Sequence, residues 1–163
     1  RSARLMTVTV RPGKPNGAAS SFFSGIIREP LAGVESVCPV DASVSHPVSS
    51  PGTTIRSLIA VFEASQATLG NRLALNLPGL TVTVQQMLDA LQNVAGKLVR
   101  ERVRFERDER IAGIVANWAR GATSERANAL GLQADKSFEA IIEQYIEDCR
   151  SQSAYPAGAL QGL

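Results

Sequence analysis

Four times between residues 55 and 146 the apolar residues fall at i, i+3, i+4 and i+7. The sets are Ile55, Leu58, Ile59 and Phe62; Val84, Met87, Leu88 and Leu91; Ile111, Ile114, Val115 and Trp118; and Phe138, Ile141, Ile142 and Tyr145, continued by Ile146. That spacing places each set on one face of a helix. The β-rich stretches between and before them are short: residues 5–10, 34–40, 73–77 and 98–105. A chain written this way has to bury helical stripes against short strands, which predicts a mixed α/β module. A complete doubly wound sheet needs more strand and helix pairs. A strand-like run also follows the first residue almost at once, so the chain reads as part of a larger fold, cut at Arg1.

Local signals set the expected boundaries. Met6, Val8 and Val10 alternate with Thr7 and Thr9 until Arg11-Pro12-Gly13 ends the run. Ser20-Ser21 can cap a short helix through Phe22, Phe23, Ile26 and Ile27, stopped by Pro30. In the second strand, Val34, Ser36, Cys38 and Val40 lie on one side and Glu35 and Val37 on the other. Residues 41–53 are rich in Ser, Pro, Asp and Gly, which argues against long regular structure before Thr53 or Thr54 caps the next helix. Thr83 opens another helix and Gly96 stops it. In residues 98–105, Arg100, Arg102 and Arg104 alternate with Val99, Val103 and Phe105, the pattern of a solvated edge strand whose charges discourage edge pairing. Ser124 starts a short helix ending at Gly131, Ser137 caps the last one, and the tail after Asp148 reads as frayed.

Composition removes several classes of function. With 163 residues, 44% hydrophobic and 20% charged, the chain is long enough to bury a core and too apolar to be disordered throughout. A net charge of +2 gives no reason to invoke nucleic acid or an anionic membrane as partner. Cys38 and Cys149 stand far apart with no other cysteine, which fits neither a disulfide framework nor a zinc site and points to a reducing cytoplasm. No apolar run has the length of a membrane span or a signal peptide.

The usual catalytic spacings are missing. A glycine-rich turn lets backbone approach a pyrophosphate at a helix amino terminus, and no such glycine spacing occurs. A Tyr-x-x-x-Lys pair would set a phenol and an ammonium on one helical face for proton transfer, but the only lysines are Lys14, Lys97 and Lys136. His46, the sole histidine, lies in a Pro/Ser stretch without paired carboxylates and reads as a surface or hydrogen-bonding residue. The segment from Arg11 to Asn16 is different: two cations, an amide and rigid Pro/Gly backbone follow directly on an apolar strand. Ligands of open α/β sheets bind at the carboxyl ends of strands, where Arg11 can fork onto a carboxylate and Ser20 and Ser21 can hold sugar hydroxyls. A turn with solvated charges explains the same residues equally well.

The segment 7–16, Thr-Val-Thr-Val-Arg-Pro-Gly-Lys-Pro-Asn, followed by Ala18-Ala19-Ser20-Ser21-Phe22-Phe23-Ser24-Gly25-Ile26-Ile27-Arg28-Glu29-Pro30-Leu31, closely resembles the D-erythronate dehydrogenase family. This family lies within the extended short-chain dehydrogenases/reductases, the NAD-dependent epimerase/dehydratase superfamily. Broader patterns of that superfamily follow in order: Leu75-Asn76-Leu77-Pro78-Gly79 leading to Thr83-Val84, then Arg126-Ala127, Leu130-Gly131-Leu132 and Ser137-Phe138. The resemblance covers about residues 5–148 and only the carboxyl-terminal half of such enzymes. It implies a fold made of the last strands of a Rossmann-type sheet plus a small mixed α/β substrate-binding domain. Residues 1–20 would supply strand and loop from the dinucleotide-binding sheet, and 21–149 the substrate-binding lobe. Helix 53–66 would pack on the missing Rossmann half, and 150–163 would form a flexible tail. It also implies oxidation of a secondary alcohol of a small sugar acid by NAD. Arg11, Ser20, Ser21 and Phe22 would border the substrate, and Pro12, Gly13, Lys14 and Asn16 the cofactor. The catalytic pair and most NAD contacts would lie in the missing amino-terminal half, leaving this chain inactive alone. Self-association is a further expectation. Relatives continue Ser50-Pro51 with Arg where this chain has Gly52, so no substrate contact carries over there. The broad patterns leave two other readings open, a sugar epimerase/dehydratase fragment and a non-catalytic binding or oligomerisation module.

Overall fold

The computed structural model describes residues 1–70, 72–121, 123–151 and 155–163. In chain order its elements are β1 (Ser2–Arg4), β2 (Thr7–Val8), α1 (Ser21–Leu31), β3 (Ser36–Cys38), β4 (Ser45–Ser49) and α2 (Pro51–Glu63). They continue with α3 (Gln66–Leu69), β5 (Ala74–Asn76), β6 (Leu80–Thr83), α4 (Val84–Ala95) and α5 (Lys97–Arg100). The last four are β7 (Val103–Phe105), α6 (Glu109–Ala116), α7 (Glu125–Asn128) and α8 (Phe138–Ser151). The mixed α/β class predicted from periodicity is what forms.

Among the described residues the strands make three small sheets. β1 pairs in parallel with β5, β3 in parallel with β7, and β4 lies between parallel β2 and antiparallel β6. Helices α1, α4 and α8 close over this framework. Phe23, Ile26, Ile27, Met87, Leu88, Leu91, Ile141 and Ile142 are almost fully buried in one core, joined by Val48 from β4 and by Val10 just after β2. A second, smaller core gathers Val61, Leu69, Leu75, Leu77, Ala127 and Leu132. The start of α4 carries a capping box, with Thr83 accepting from the Gln86 amide and the Gln86 side chain accepting from the Thr83 amide. Ser137 caps α8 as expected, accepting from the Ala140 amide at 3.2 Å.

Several expectations need correction. Of the strand expected over 5–10 only Thr7–Val8 pairs, as β2, and a separate strand, β1, precedes it in another sheet. α1 runs through Pro30 to Leu31 and ends at Gly33, whose φ of +80° suits the left-handed stop. Proline is tolerated in that last turn because only one helical donor is lost there. Its carbonyl is used twice, by the Gly33 amide at 3.0 Å and the Arg102 guanidinium at 3.1 Å. The stretch 41–53 contains β4, the central strand of its sheet. Pro47 lies opposite Thr81 of β6, before β2 begins pairing at Val48 and Ser49, so its missing N–H falls where only one neighbour flanks it.

Residues 98–105 are not one strand: a helical turn, α5, follows Gly96, and only Val103–Phe105 pairs as β7. Arg104 meets Glu35 at 3.2 Å on the surface, but Arg102 is turned inward to bond the carbonyls of Pro30 and Gly162. The carboxyl-terminal tail is therefore not free over residues 155–163. The Gly162 amide donates to the Leu31 carbonyl at 2.8 Å, and a Cβ at Gly162 would stand 2.3 Å from the Pro30 carbonyl oxygen, a contact only glycine avoids. In β3 the alternation holds for buried Ser36 and Cys38 about exposed Val37, while Val34 stands outside the strand and 54% exposed.

Helix α2 inverts the ordinary amphipathic arrangement. Its apolar stripe does form one face, yet Ile55, Ile59 and Phe62 are 57%, 51% and 80% exposed. The buried face is made of Thr53, Thr54 and Ser57, with Val61 at its end. Ser50, not Thr53 or Thr54, is its N-cap. The polar face is satisfied by Asp135, whose carboxylate accepts from the Ser50 amide, the Ser50 hydroxyl and the Thr53 hydroxyl at 2.7–2.8 Å. A remote carboxylate thus fixes the helix start and complements its positive end.

Candidate functional site

The loop from Arg11 to Asn16 is mounted on the first two turns of α1. Thr9 Oγ1 donates to the Phe23 carbonyl at 3.0 Å, and the Arg11 amide donates to Ser24 Oγ at 3.1 Å. Arg28, 7% exposed, donates from Nη1 to the Arg11 carbonyl at 2.9 Å while Nη2 meets Glu29 at 2.5 Å. At the far end of the loop the Asn16 amide donates to Ser21 Oγ at 3.2 Å, and Asn16 Oδ1 accepts from the Ala18 amide at 3.0 Å. Ser20 takes the N-cap position of α1 but makes no side-chain cap bond, so the expected Ser20-Ser21 cap is replaced by this loop contact.

Between these anchors Pro12, Gly13 and Lys14 are exposed. Gly13 has φ of +106° and no atom of the described residues within 4 Å of where a Cβ would stand, so it offers open backbone to a flat ligand. Arg11 is half-buried; its Nε is enclosed and has no acceptor among the described residues. A buried guanidinium donor left unmatched is costly, and an anionic ligand is one way to match it.

Beside the loop opens a cleft of about 560 Å³. Of the eight residues singled out in the sequence, Asn16, Ser21 and Phe22 line it, while Arg11, Pro12, Gly13, Lys14 and Ser20 lie outside its walls. The opposite wall carries Glu106, Arg107, Asp108 and Glu109, and Glu29, Glu35 and Ser36 complete it. Arg107 is shared between Asp41 at 2.5 Å and Glu109 at 2.7 Å, and it holds the Glu109 carboxyl below the usual carboxylate range by hydrogen bonding and charge. Carboxylates therefore outnumber free cations across the cleft. Among the described residues there is no cluster of His, Cys, Asp and Glu suited to a metal ion.

Sequence reasoning missed Arg28, Ser24 and the acidic wall. Ser24 and Arg28 stand four apart on one helical face, a pairing visible in the sequence, but their target is a backbone 13 to 17 residues earlier, which only the fold reveals. His46 is not a surface residue: it is 7% exposed, bonded through Nε2 to Thr7 Oγ1 at 2.7 Å and stacked 4.9 Å from the Phe23 ring. Burial pushes its pKa down, with a smaller opposing effect from a hydrogen bond to the Ala119 backbone. At Gly52 the Gln144 side chain stands so close that a Cβ would displace it.

No family model matches the chain. Its structure superposes with a TM-score of 0.87 on the crystal structure of the nucleoside-diphosphate-sugar epimerase from Agrobacterium tumefaciens, at 44% sequence identity over 90% of this chain and 43% of that one. The short parallel strands and the loop they feed match part of a Rossmann-type fold of the extended short-chain dehydrogenase/reductase type. The chain is similar to D-erythronate dehydrogenase of Cupriavidus necator, 49% identical over 148 residues that cover 91% of this chain and 46% of that protein. It is likewise 44% identical to D-erythronate dehydrogenase of Haemophilus influenzae over 144 residues, 88% of this chain and 46% of that protein. The chain thus spans about half the length of the curated relatives it matches.

Proposed function

We propose that the chain is the substrate-binding half of an NAD-dependent oxidoreductase that oxidises a secondary alcohol of a small sugar acid such as D-erythronate. The observation that carries the reading is Arg11: a half-buried guanidinium with an unmatched Nε, in a loop whose other end borders an open cleft. A single carboxylate pairs with Arg11, while Ser20, Ser21 and Asn16 are at hand for hydroxyls. The names of the two curated relatives support the same substrate class.

NAD supplies the hydride acceptor, so that alcohol becomes ketone with release of one proton. Pro12 and Gly13 offer the open backbone against which a nicotinamide ring can lie, with Lys14 and Asn16 beside it. The chain has no glycine-rich pyrophosphate turn and no Tyr-x-x-x-Lys pair, so the rest of the cofactor and the base belong to additional chain of the length the relatives possess. Two features support where that half packs. β1 and β5 form a two-stranded parallel sheet, which is normally covered on both faces and extended by further strands, and the apolar face of α2 stands exposed beside the smaller core. Cys38 and Cys149 are unpaired, in keeping with a cytoplasmic protein. Among the described residues no helix is long and apolar enough to cross a membrane.

A sugar epimerase acting on a nucleoside diphosphate is the second reading, favoured by the name of the Agrobacterium protein. The excess of carboxylates around the cleft weighs against it, because a diphosphate brings two or more negative charges where a sugar acid brings one. The test extends the protein to the length of its relatives and follows NADH absorbance with D-erythronate, alongside product analysis with nucleotide sugars. NADH formation with the acid supports the dehydrogenase; epimerised nucleotide sugar without NADH, or neither product, overturns it.

A further inference from the structure

We propose that Arg28 is a positioning residue for the substrate loop, acting on Arg11 through its backbone. The proposal rests on the role given to Arg11 above. Ser24 and Arg28, one turn apart on α1, take both polar backbone atoms of Arg11, the amide at 3.1 Å and the carbonyl at 2.9 Å. Two fixed points on one residue determine the direction of its Cα–Cβ bond, and so where its guanidinium can reach.

A buried arginine is an expensive way to satisfy a carbonyl that water satisfies as well. Arg28 is 7% exposed, and its charge is balanced by the adjacent Glu29 through Nε at 3.2 Å and Nη2 at 2.5 Å. One planar fork thereby serves two acceptors at once, a carboxylate on its own helix and a carbonyl in the loop. Lysine keeps the charge for Glu29 but is a single point donor on a shorter stem, so it cannot hold both. The construction is one in which geometry, not net stability, is gained.

The experiment uses the protein extended to the length of its relatives, with Arg28→Lys, Ser24→Ala and wild type compared in two measurements. Amide hydrogen exchange at Arg11 and Asn16, the two hydrogen-bonded amides of the loop, is expected to accelerate at least tenfold in Arg28→Lys, with the amides of α4 and α8 unchanged. The Michaelis constant for D-erythronate is expected to rise about tenfold, with that for NAD changed less than twofold. Combining Arg28→Lys with Arg11→Ala is expected to add nothing to the effect of Arg11→Ala alone. Unaltered loop exchange in a folded Arg28→Lys protein overturns the proposal, as does an equal rise in both Michaelis constants. Should Arg28→Lys fail to fold, Ser24→Ala decides: faster exchange of the loop amides supports the clamp and unchanged exchange overturns it. Absence of turnover by the wild type would defeat the proposed function and leave the exchange measurement to judge the clamp by itself.

Discussion

Arg11 meets its own chain through its backbone and leaves part of its guanidinium unmatched, so removing the side chain should cost binding more than folding. In the protein extended to relatives' length, Arg11→Ala is expected to raise the Michaelis constant for an aldonate on the order of tenfold or more, because a charge-assisted partner is lost. A neutral polyol of the same length should be affected much less, and equal effects on both would remove Arg11 from the substrate role. His46 gives a prediction in pH. Its folded pKa is lowered by burial, so below the ordinary value of 6.5 the unfolded chain binds the proton that the folded ring refuses. Its contribution to stability is whole above that value and declines as pH falls toward the lowered one. Denaturant midpoints between pH 7.5 and 5.5 should fall in the native chain and fall less in His46→Phe. At this scale the loop residues could be chosen from the sequence because a cation, proline and glycine after an apolar strand are a local signal. The burial of His46 could not, since a Pro/Ser stretch looks solvent-exposed until its strand pairs with β6 and the Phe23 and Trp118 rings close on the imidazole.

Helices α8 and α2 show how differently an apolar stripe can be used. On α8 the stripe is the core: Ile142 is fully buried where α8 packs on α4. Ile142→Ala should destabilise by roughly 2 to 5 kcal/mol through lost burial and a residual cavity, read from the urea midpoint. An unchanged midpoint would show that this face is not packed. On α2 the polar face is held instead, and Asp135 matches three donors at its start. Asp135→Ala should cost about 1 to 3 kcal/mol, since Ser50 and Thr53 lose a charged acceptor in a mostly buried place. Both helices have the same periodicity in the sequence, and nothing local in Ile55, Leu58, Ile59 and Phe62 says that their face points outward. The strand over 98–105 failed for a related reason: alternation of Arg and Val has period two on paper, but Lys97–Arg100 closes a helical turn after Gly96.

For the molecule as a whole, an exposed apolar helix face and a two-stranded parallel sheet predict an adhesive surface. The 163-residue chain is expected to self-associate at micromolar concentration in analytical ultracentrifugation, and Phe62→Glu should reduce that association. The same substitution in the extended protein should lower the thermal midpoint, because there the face would be covered. Loss of association without any cost in the longer protein would mean that nothing docks on α2. The 163-residue chain is also expected to give no NADH from D-erythronate, lacking the phosphate turn and the proton-transfer pair.

The mixed α/β class, the helical stripes and the caps at Thr83 and Ser137 all followed from residues close together in the chain. Periodicity, capping and turn chemistry act over a few residues, and that is why they can be read there. The tertiary structure alone decided which face of α2 is buried, that Arg28 reaches back to Arg11, that Arg102 fastens the tail at Gly162 and that Glu106 to Glu109 stand across a cleft from Ser21. Each of these joins residues far apart in sequence, where the partner of a side chain is fixed by how the elements pack and not by its neighbours along the backbone.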